Sequence, residues 1–155
     1  MITAVDTNIL LDILLPDENH LSRSKELLDA YNEKGQLAIC EIVYAELSSQ
    51  FPAEQELQDF LAQTSINLMP SSEKALALAG KMWREYSKQR PDGLQCSACG
   101  QQLSPQCPRC RAIIASRQHI ISDFLVGAHA SVHAEMLLTR DRGFYKTYFK
   151  DLRII

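Results

Sequence analysis

The sequence lacks the long hydrophobic run that a membrane-spanning helix requires. Its most apolar stretch, residues 9–15, stops at Pro16 and falls far short of the ~18 residues that cross a bilayer. The first residues, MITAVD, also lack the basic segment that opens a secretory signal peptide. Repeats of fixed period and low-complexity tracts are missing as well. We therefore expect a cytoplasmic protein that does not engage a membrane.

The composition is that of an ordinary globular domain. With 46% hydrophobic residues, 23% charged residues, six Gly and six Pro, it argues against disordered, collagenous and coiled-coil chains. A chain of 155 residues buries enough surface to fold without disulfides. Its length predicts one domain, or one domain with a small insertion.

The sequence has little net charge, −3 at pH 7, which by itself argues against a nucleic-acid partner. The charge is unevenly distributed, however. Residues 1–80 hold four Lys and Arg against thirteen Asp and Glu, whereas residues 81–155 hold twelve against six. The basic second half fits either a surface for a polyanion or ordinary variation in surface charge.

Four of the five cysteines lie within fifteen residues of one another. They form two C-x-x-C pairs, Cys96 with Cys99 and Cys107 with Cys110. Four thiolates at this spacing suit tetrahedral Zn²⁺, and such a closed site is structural because it leaves no position for substrate. A redox dithiol pair and unliganded thiols are the alternatives. The fifth, Cys40, ends an apolar strand and is interpreted as a core residue.

The cysteine segment, residues 91–115, resembles a small zinc ribbon inserted into a main domain that spans residues 1–155. It is too short for a core of its own, so metal binding would supply most of its folding free energy. Basic residues lie before, within and after it: Lys81, Arg84, Lys88, Arg90, Arg109, Arg111 and Arg117. The ribbon is therefore either a flap that grips RNA, or a structural loop or protein-docking element.

Short apolar strands alternate with helical periodicity along the rest of the chain. The strands are predicted at residues 2–5, 37–40, 66–69, 136–139 and 152–155. A helix capped by Thr7 or Asn8 ends at Pro16, and further helices are predicted at 19–33, 41–49, from Pro52 to 61, 72–89, 112–133 and 144–149. This alternation predicts an α/β fold with a parallel sheet, whose site lies at the carboxyl ends of the strands.

Four acidic residues fall at this predicted edge of the sheet: Asp6, Glu46, Asp123 and Asp141. Several carboxylates in apolar surroundings repel one another, and Mg²⁺ or Mn²⁺ relieves the repulsion because hard cations prefer oxygen ligands. Such a site suits phosphodiester hydrolysis. Each acid alone also has an ordinary interpretation, Glu46 as a surface residue and the three aspartates as helix caps.

These acids belong to four segments that follow one another in order along the chain. The segments are VDTN at 5–8, VYAEL at 43–47, ISDFLVGAHA at 121–130 and LTRDRGF at 138–144. Together they resemble the PIN-domain nucleases, and among these the small toxin ribonucleases of the VapC type. The resemblance covers nearly the whole chain except roughly residues 91–115.

The resemblance implies a three-layer α/β/α fold with a mostly parallel sheet and a Mg²⁺- or Mn²⁺-dependent endoribonuclease. The catalytic metal ligands would be Asp6, Glu46, Asp123 and Asp141, with Asn8 and Thr139 supporting the acids or the bound water. It further implies a homodimer restrained by a small antitoxin protein. Gly143 departs from the pattern, since many relatives carry an additional acid at this position, and the number of catalytic ions stays open.

Two other functions stay open from the sequence. One is a catalytically weak or inactive PIN domain that binds RNA or protein through its zinc ribbon. The other is a nuclease of RNA processing that belongs to no toxin–antitoxin pair.

Several further residues have a structural and a functional interpretation. His129 and His133 have the spacing of a metal pair but lack an HExxH context, so they are interpreted as surface or packing residues, as is His119. Trp83 and Tyr86 are interpreted as helix-contact residues. Three basic residues beside Asp141 either contact phosphates or are simply solvated: Arg140, Arg142 and Lys146.

Overall fold

The computed structural model of the protein describes residues 1–16, 18–89, 94–95, 102–114 and 121–155. Within these ranges the strands are β1 (Ile2–Val5), β2 (Gln36–Ile39), β3 (Ile66–Leu68), β4 (Leu94–Gln95), β5 (Gln102–Leu103) and β6 (Met136–Leu138). The helices are α1 (Thr7–Leu14), α2 (Leu21–Asn32), α3 (Glu41–Ser48), α4 (Glu54–Gln63), α5 (Glu73–Gln89), α6 (Ile121–His133) and α7 (Arg142–Tyr148).

A four-stranded parallel sheet forms the centre of the molecule, in the order β3-β2-β1-β6. Thr3 on β1 pairs with Leu37 on one side and with Met136 on the other, so β1 is an interior strand. Residues from both faces of the inner strands are buried, including Ala4, Val5 and the consecutive residues 37–39 of β2. Continuous burial along a strand is the pattern of a parallel sheet covered by helices on both faces. The predicted α/β fold with a parallel sheet is confirmed.

The predicted strand at 152–155 is present only as a short parallel pairing beside β6. Ile154 bridges to Leu137, and the N–H of Leu137 donates to the carbonyl of Arg153 at 2.9 Å. The N–H of Ile155 donates back to the carbonyl of Leu137 at 3.0 Å. The chain end therefore covers the exposed edge of β6 without forming a full strand.

An aromatic cluster holds the C-terminal helices together. Phe124 on α6 is fully buried and contacts the ring of Phe144 at a centroid distance of 4.9 Å and that of Tyr148 at 5.2 Å. Gly127, one turn along α6, lies so close to Phe149 that a Cβ atom there would come within 2.4 Å of the ring. The cluster fixes α7, and with it the segment between β6 and α7, against the body of the domain.

The inserted segment differs from its prediction in one respect. A helix is predicted from residue 112, but residues 112–114 are not helical, because Ile113 bridges to Gln106 and the N–H of Ile114 donates to the carbonyl of Pro105. The described helix begins at Ile121. Antiparallel pairing of Leu94 with Leu103 joins β4 to β5. Two of the four predicted zinc ligands, Cys96 and Cys99, lie outside the described residues.

Among the described residues, no helix is long and apolar enough to cross a membrane.

Candidate active site

Asp6 lies where the interior strand β1 passes into helix α1. Its side chain is only 8% exposed. Its Oδ1 accepts a hydrogen bond from the N–H of Thr7 at 2.8 Å, and Asp6 is the N-cap of α1. The prediction that Thr7 or Asn8 caps this helix is therefore wrong, because the buried carboxylate takes the cap position itself.

Three side chains donate to the other carboxylate oxygen of Asp6. The Thr139 hydroxyl lies 2.6 Å from Oδ2, the Asn8 amide nitrogen 2.8 Å and the Tyr145 hydroxyl 3.4 Å. Asn8 also donates to the Thr139 oxygen at 3.2 Å and accepts from the N–H of Arg140 at 3.1 Å. Asn8 and Thr139 thus join α1 to the segment after β6 and fix the orientation of Asp6.

The environment of Asp6 disfavours its charged form. The pKa of Asp6 is raised from 3.8 to about 6, chiefly by burial and also by the carboxylate of Glu46. Hydrogen bonds from Thr139, Thr7 and Tyr145 act in the opposite direction, because they stabilise the carboxylate. The effect of burial on the pKa is larger than that of the hydrogen bonds, so the metal-free site holds a carboxyl group that is readily protonated near pH 6.

The other three predicted acids lie on α3, on α6 and at the start of α7. Glu46 on α3 is exposed and accepts a hydrogen bond from the hydroxyl of Thr7. Asp123 is half-buried in the first turn of α6. Asp141 caps α7 by accepting from the N–H of Phe144 at 3.2 Å, and its own N–H donates to the Thr139 oxygen at 3.0 Å.

Tyr145 is a site residue that the sequence reasoning missed. It is buried, and its pKa is raised by burial first and then by the charges of Asp6, Asp123 and Asp141. The charges of three of the four predicted acids therefore act on the hydroxyl group of Tyr145. The signal in the sequence was the spacing of four residues from Asp141 to Tyr145, which brings the two to the same side of α7.

The remaining candidates are structural. His129 is buried, and its Nε2 lies 2.8 Å from the carbonyl of Met69, whereas Nε2 of His133 accepts from the N–H of Ser72 at 3.2 Å. Cys40 is buried in the core. The rings of Trp83 and Tyr86 contact Phe124, which confirms their interpretation as packing residues. His119 lies outside the described residues.

The sequence matches the family described as PIN domain over residues 3–150. The chain belongs to the PIN domain family. The predicted resemblance is thereby confirmed. No curated protein matches the chain.

Solved toxin–antitoxin structures share the fold of this PIN domain. VapBC2 from Rickettsia felis, bound to a DNA fragment from its promoter, has a TM-score of 0.63 at 21% identity, with 100% of this chain and 98% of that chain covered. VapBC-1 from nontypeable Haemophilus influenzae has a TM-score of 0.60 at 19% identity, with 100% of this chain and 97% of that chain covered. A toxin–antitoxin complex from Klebsiella pneumoniae has a TM-score of 0.59 at 19% identity, with 99% of this chain and 95% of that chain covered. At these identities the likeness shows the fold.

The donor chemistry of the PIN-domain site fits a hard divalent cation. The candidate ligands are all carboxylates, and Asp6 is buried beside a second negative charge, which a cation would offset. In the described part of the chain, the present side-chain conformations bring no three His, Cys, Asp or Glu residues close enough together to bind a metal ion. Glu46 and Asp141 are exposed, whereas Asp6 is buried and held by hydrogen bonds.

Removal of the Thr139 hydroxyl tests how Asp6 is held. Thr139→Ala deletes the shortest hydrogen bond to Asp6 Oδ2, so the pKa of Asp6 should rise from about 6 toward about 7 in metal-free protein. NMR titration of the Asp6 carboxyl carbon measures this change. Thr139→Ser keeps a hydroxyl and should leave the pKa near its original value. An unchanged pKa in Thr139→Ala would show that the bond does not stabilise the carboxylate.

Proposed function

We propose that this PIN domain is a metal-dependent endoribonuclease that hydrolyses RNA phosphodiester bonds. The observation that carries the proposal is the buried carboxylate of Asp6, which lies at the carboxyl end of an interior parallel strand beside the charge of Glu46. Ligand sites of open parallel sheets lie at this end of the strands. Ionising a buried carboxyl group costs free energy, and a cation bound at this position would offset that cost.

The four acids would hold Mg²⁺ or Mn²⁺: Asp6, Glu46, Asp123 and Asp141. These residues would hold an ion that would supply a nucleophilic water and neutralise charge on the attacked phosphate. Asp6 contributes a ligand whose orientation is set before substrate arrives, because Asn8, Thr139 and Thr7 all donate to it. The Tyr145 hydroxyl lies behind the same oxygen and helps to exclude water from that side.

Gly143 marks the position where many family members carry a further acid. A Cβ atom there would meet no atom within 4 Å, so packing does not forbid a side chain. The site is therefore proposed to work with the four acids present, whether they hold one ion or two.

We further propose a role in a toxin–antitoxin pair, with a small antitoxin as partner and a homodimer as the assembly. The support is the set of solved structures with the same fold, which are toxin–antitoxin assemblies. A nuclease of RNA processing would use the same site. A weak or inactive domain that binds RNA through its ribbon is disfavoured by the arrangement of donors around Asp6.

The substitution Asp6→Asn tests the nuclease directly. It removes a charged ligand but keeps an oxygen for the N–H of Thr7, so Mg²⁺- or Mn²⁺-dependent RNA cleavage should fall more than about hundredfold. The melting temperature of the metal-free protein should change little, because removal of the buried charge offsets loss of the acceptor that Asn8, Thr139 and Tyr145 share. Cleavage is followed on labelled RNA and folding by thermal melting.

The exposed acid Asp59 on α4 provides the matched control. Asp59→Asn makes the same chemical change away from the site and should cleave RNA at the original rate. Full activity of Asp6→Asn with either ion would refute the mechanism. Loss of activity together with a fall of the melting temperature would mean that Asp6 acts through folding alone.

We also propose that the cysteine segment binds one structural Zn²⁺ through Cys96, Cys99, Cys107 and Cys110. In the described half, backbone N–H groups of Cys110 and Arg109 hydrogen-bond to the Cys107 sulfur and lower its pKa. The N–H of Cys107 donates to the carbonyl of Ala112 at 2.8 Å, which closes a tight loop. Backbone donors aimed at a thiolate are what a zinc-binding loop requires.

Elemental analysis of the purified protein tests the ribbon. We expect about one zinc ion for each chain, lost in Cys107→Ser because a structural site needs all four ligands. Cys40→Ala, a change at the one cysteine outside the segment, should keep the zinc. Wild-type protein purified without zinc, with all its thiols reactive, would contradict the proposal.

A further inference from the structure

A small cationic cavity lies directly beside the candidate active site. Its volume is about 230 Å³, below the 300–1,000 Å³ of typical small-molecule pockets. Four of its lining residues are basic: His20, Arg23, Arg140 and Arg142. Its remaining described lining residues carry no acidic side chain, and they include Ile155, the last residue of the sequence. The cavity is therefore suited to a compact anion.

Two contacts join the cavity to the carboxylate site. Thr139 lines the cavity, and its hydroxyl donates to Asp6 at 2.6 Å. Arg140 also lines the cavity, and its backbone N–H donates to the side chain of Asn8, which itself binds Asp6. A group bound in the cavity would therefore lie next to a group bound at Asp6.

A buried carboxylate fixes the arginine between these two sites. Asp12 on α1 is 2% exposed, and its Oδ1 lies 3.1 Å from a terminal nitrogen of Arg140. Its Oδ2 accepts a hydrogen bond from the hydroxyl of Ser24 on α2 at 2.6 Å. The Arg140 side chain is still 40% exposed. A guanidinium has five N–H donors, so one that binds Asp12 retains donors for an anion.

We propose that this cavity binds the phosphate of the nucleotide adjacent to the scissile phosphate of an RNA strand. The inference rests on the proposed function, which puts a phosphodiester over Asp6. Arg23, Arg140 and Arg142 supply the planar, charge-assisted donors that phosphate oxygens prefer. His20 adds a further polar group to the wall. The cavity would thus set the register of the strand and carry no preference for base identity.

The charge distribution favours RNA over an acidic protein segment as the occupant. Residues 1–80 hold only four Lys and Arg, yet one of them, Arg23, lies at this cavity beside two arginines from residues 140–142. An RNA strand bound over Asp6 must place its next phosphate close to Asp6, where the cavity lies. An acidic protein segment has no such requirement for a position next to Asp6.

The double variant Arg23→Ala/Arg142→Ala tests the proposal in RNA binding. Both residues are exposed, so the fold should be kept, and thermal melting checks this. Binding of a labelled single-stranded RNA of about ten nucleotides is measured without added Mg²⁺ or Mn²⁺, so that the RNA is not cleaved and the proposed Zn²⁺ is kept, between about 50 and about 200 mM salt. We expect about tenfold weaker binding at low salt. The slope of log affinity against log salt should decrease in magnitude by about 0.7, the effect of one lost phosphate contact on a single strand.

Lys25→Ala is the matched control, since it removes an exposed cation from the same helix, α2, that does not line this cavity. It should keep the wild-type salt slope. An unchanged affinity and slope in the double variant would overturn the proposal. So would unchanged RNA binding accompanied by weaker binding of an acidic partner protein. Because binding is read without cleavage, a failure of the nuclease proposal leaves this result interpretable.

Asp12→Asn tests the role of the buried carboxylate as a positioning residue. Removal of a negative charge beside a cationic cavity would strengthen RNA binding if only long-range electrostatics mattered. Loss of the anchor for Arg140 predicts the opposite, a severalfold weaker binding with a smaller salt slope. Stronger binding in a variant that melts normally would overturn the positioning role.

Discussion

Burial of the Asp6 carboxylate at the end of the central strand is the constraint on which the rest of the site depends. β1 is enclosed by neighbouring strands on both sides, so the residue that follows it cannot move far into solvent. The raised pKa, from 3.8 to about 6, means that ionising this group costs about 3 kcal/mol of folding free energy without a cation. That cost would be larger without the hydrogen bonds that Asp6 accepts from three segments of the chain, through Thr7, Asn8, Thr139 and Tyr145.

The fold brings both signs of charge close to this carboxylate. The predicted acids come from α3, α6 and the start of α7, and the arginines that line the neighbouring cavity come from α2 and residues 140–142. Arg140, which lines this cavity, forms an ion pair with Asp12, so a buried carboxylate orients an exposed guanidinium. The net charge of −3 therefore hides a local separation of charge that suits a metal ion and a phosphate strand side by side.

The sequence was sufficient to predict the elements whose signal is local. Strands 2–5 and 136–139 were predicted to within a residue, because each is a short apolar run bounded by polar residues. The four acids could be assigned to one edge of the sheet, because parallel strands end at the same edge.

Features that depend on distant contacts could not be predicted. Asp12 resembles an ordinary polar residue in an amphipathic helix, and only the folded chain brings it to Arg140, 128 positions away. The helix expected from residue 112 fails because Ile113 pairs with Gln106 instead of continuing a periodic pattern. Tyr145 became a site residue because the aromatic cluster around Phe124 fixes α7 in place.

Thermal melting with and without Mn²⁺ at two pH values would show whether Asp6 belongs to a cation site. Because the pKa of Asp6 is raised on folding, stability of the metal-free protein should fall as pH rises from about 4 through about 6. Mn²⁺ at about a hundred times its dissociation constant should then raise the melting temperature by about 5–10 °C at about pH 7.5. The increase should be much smaller at about pH 5, where a proton competes for the carboxylate. A melting temperature that Mn²⁺ leaves unchanged at about pH 7.5, or raises equally at both pH values, would show that the ion does not bind at Asp6.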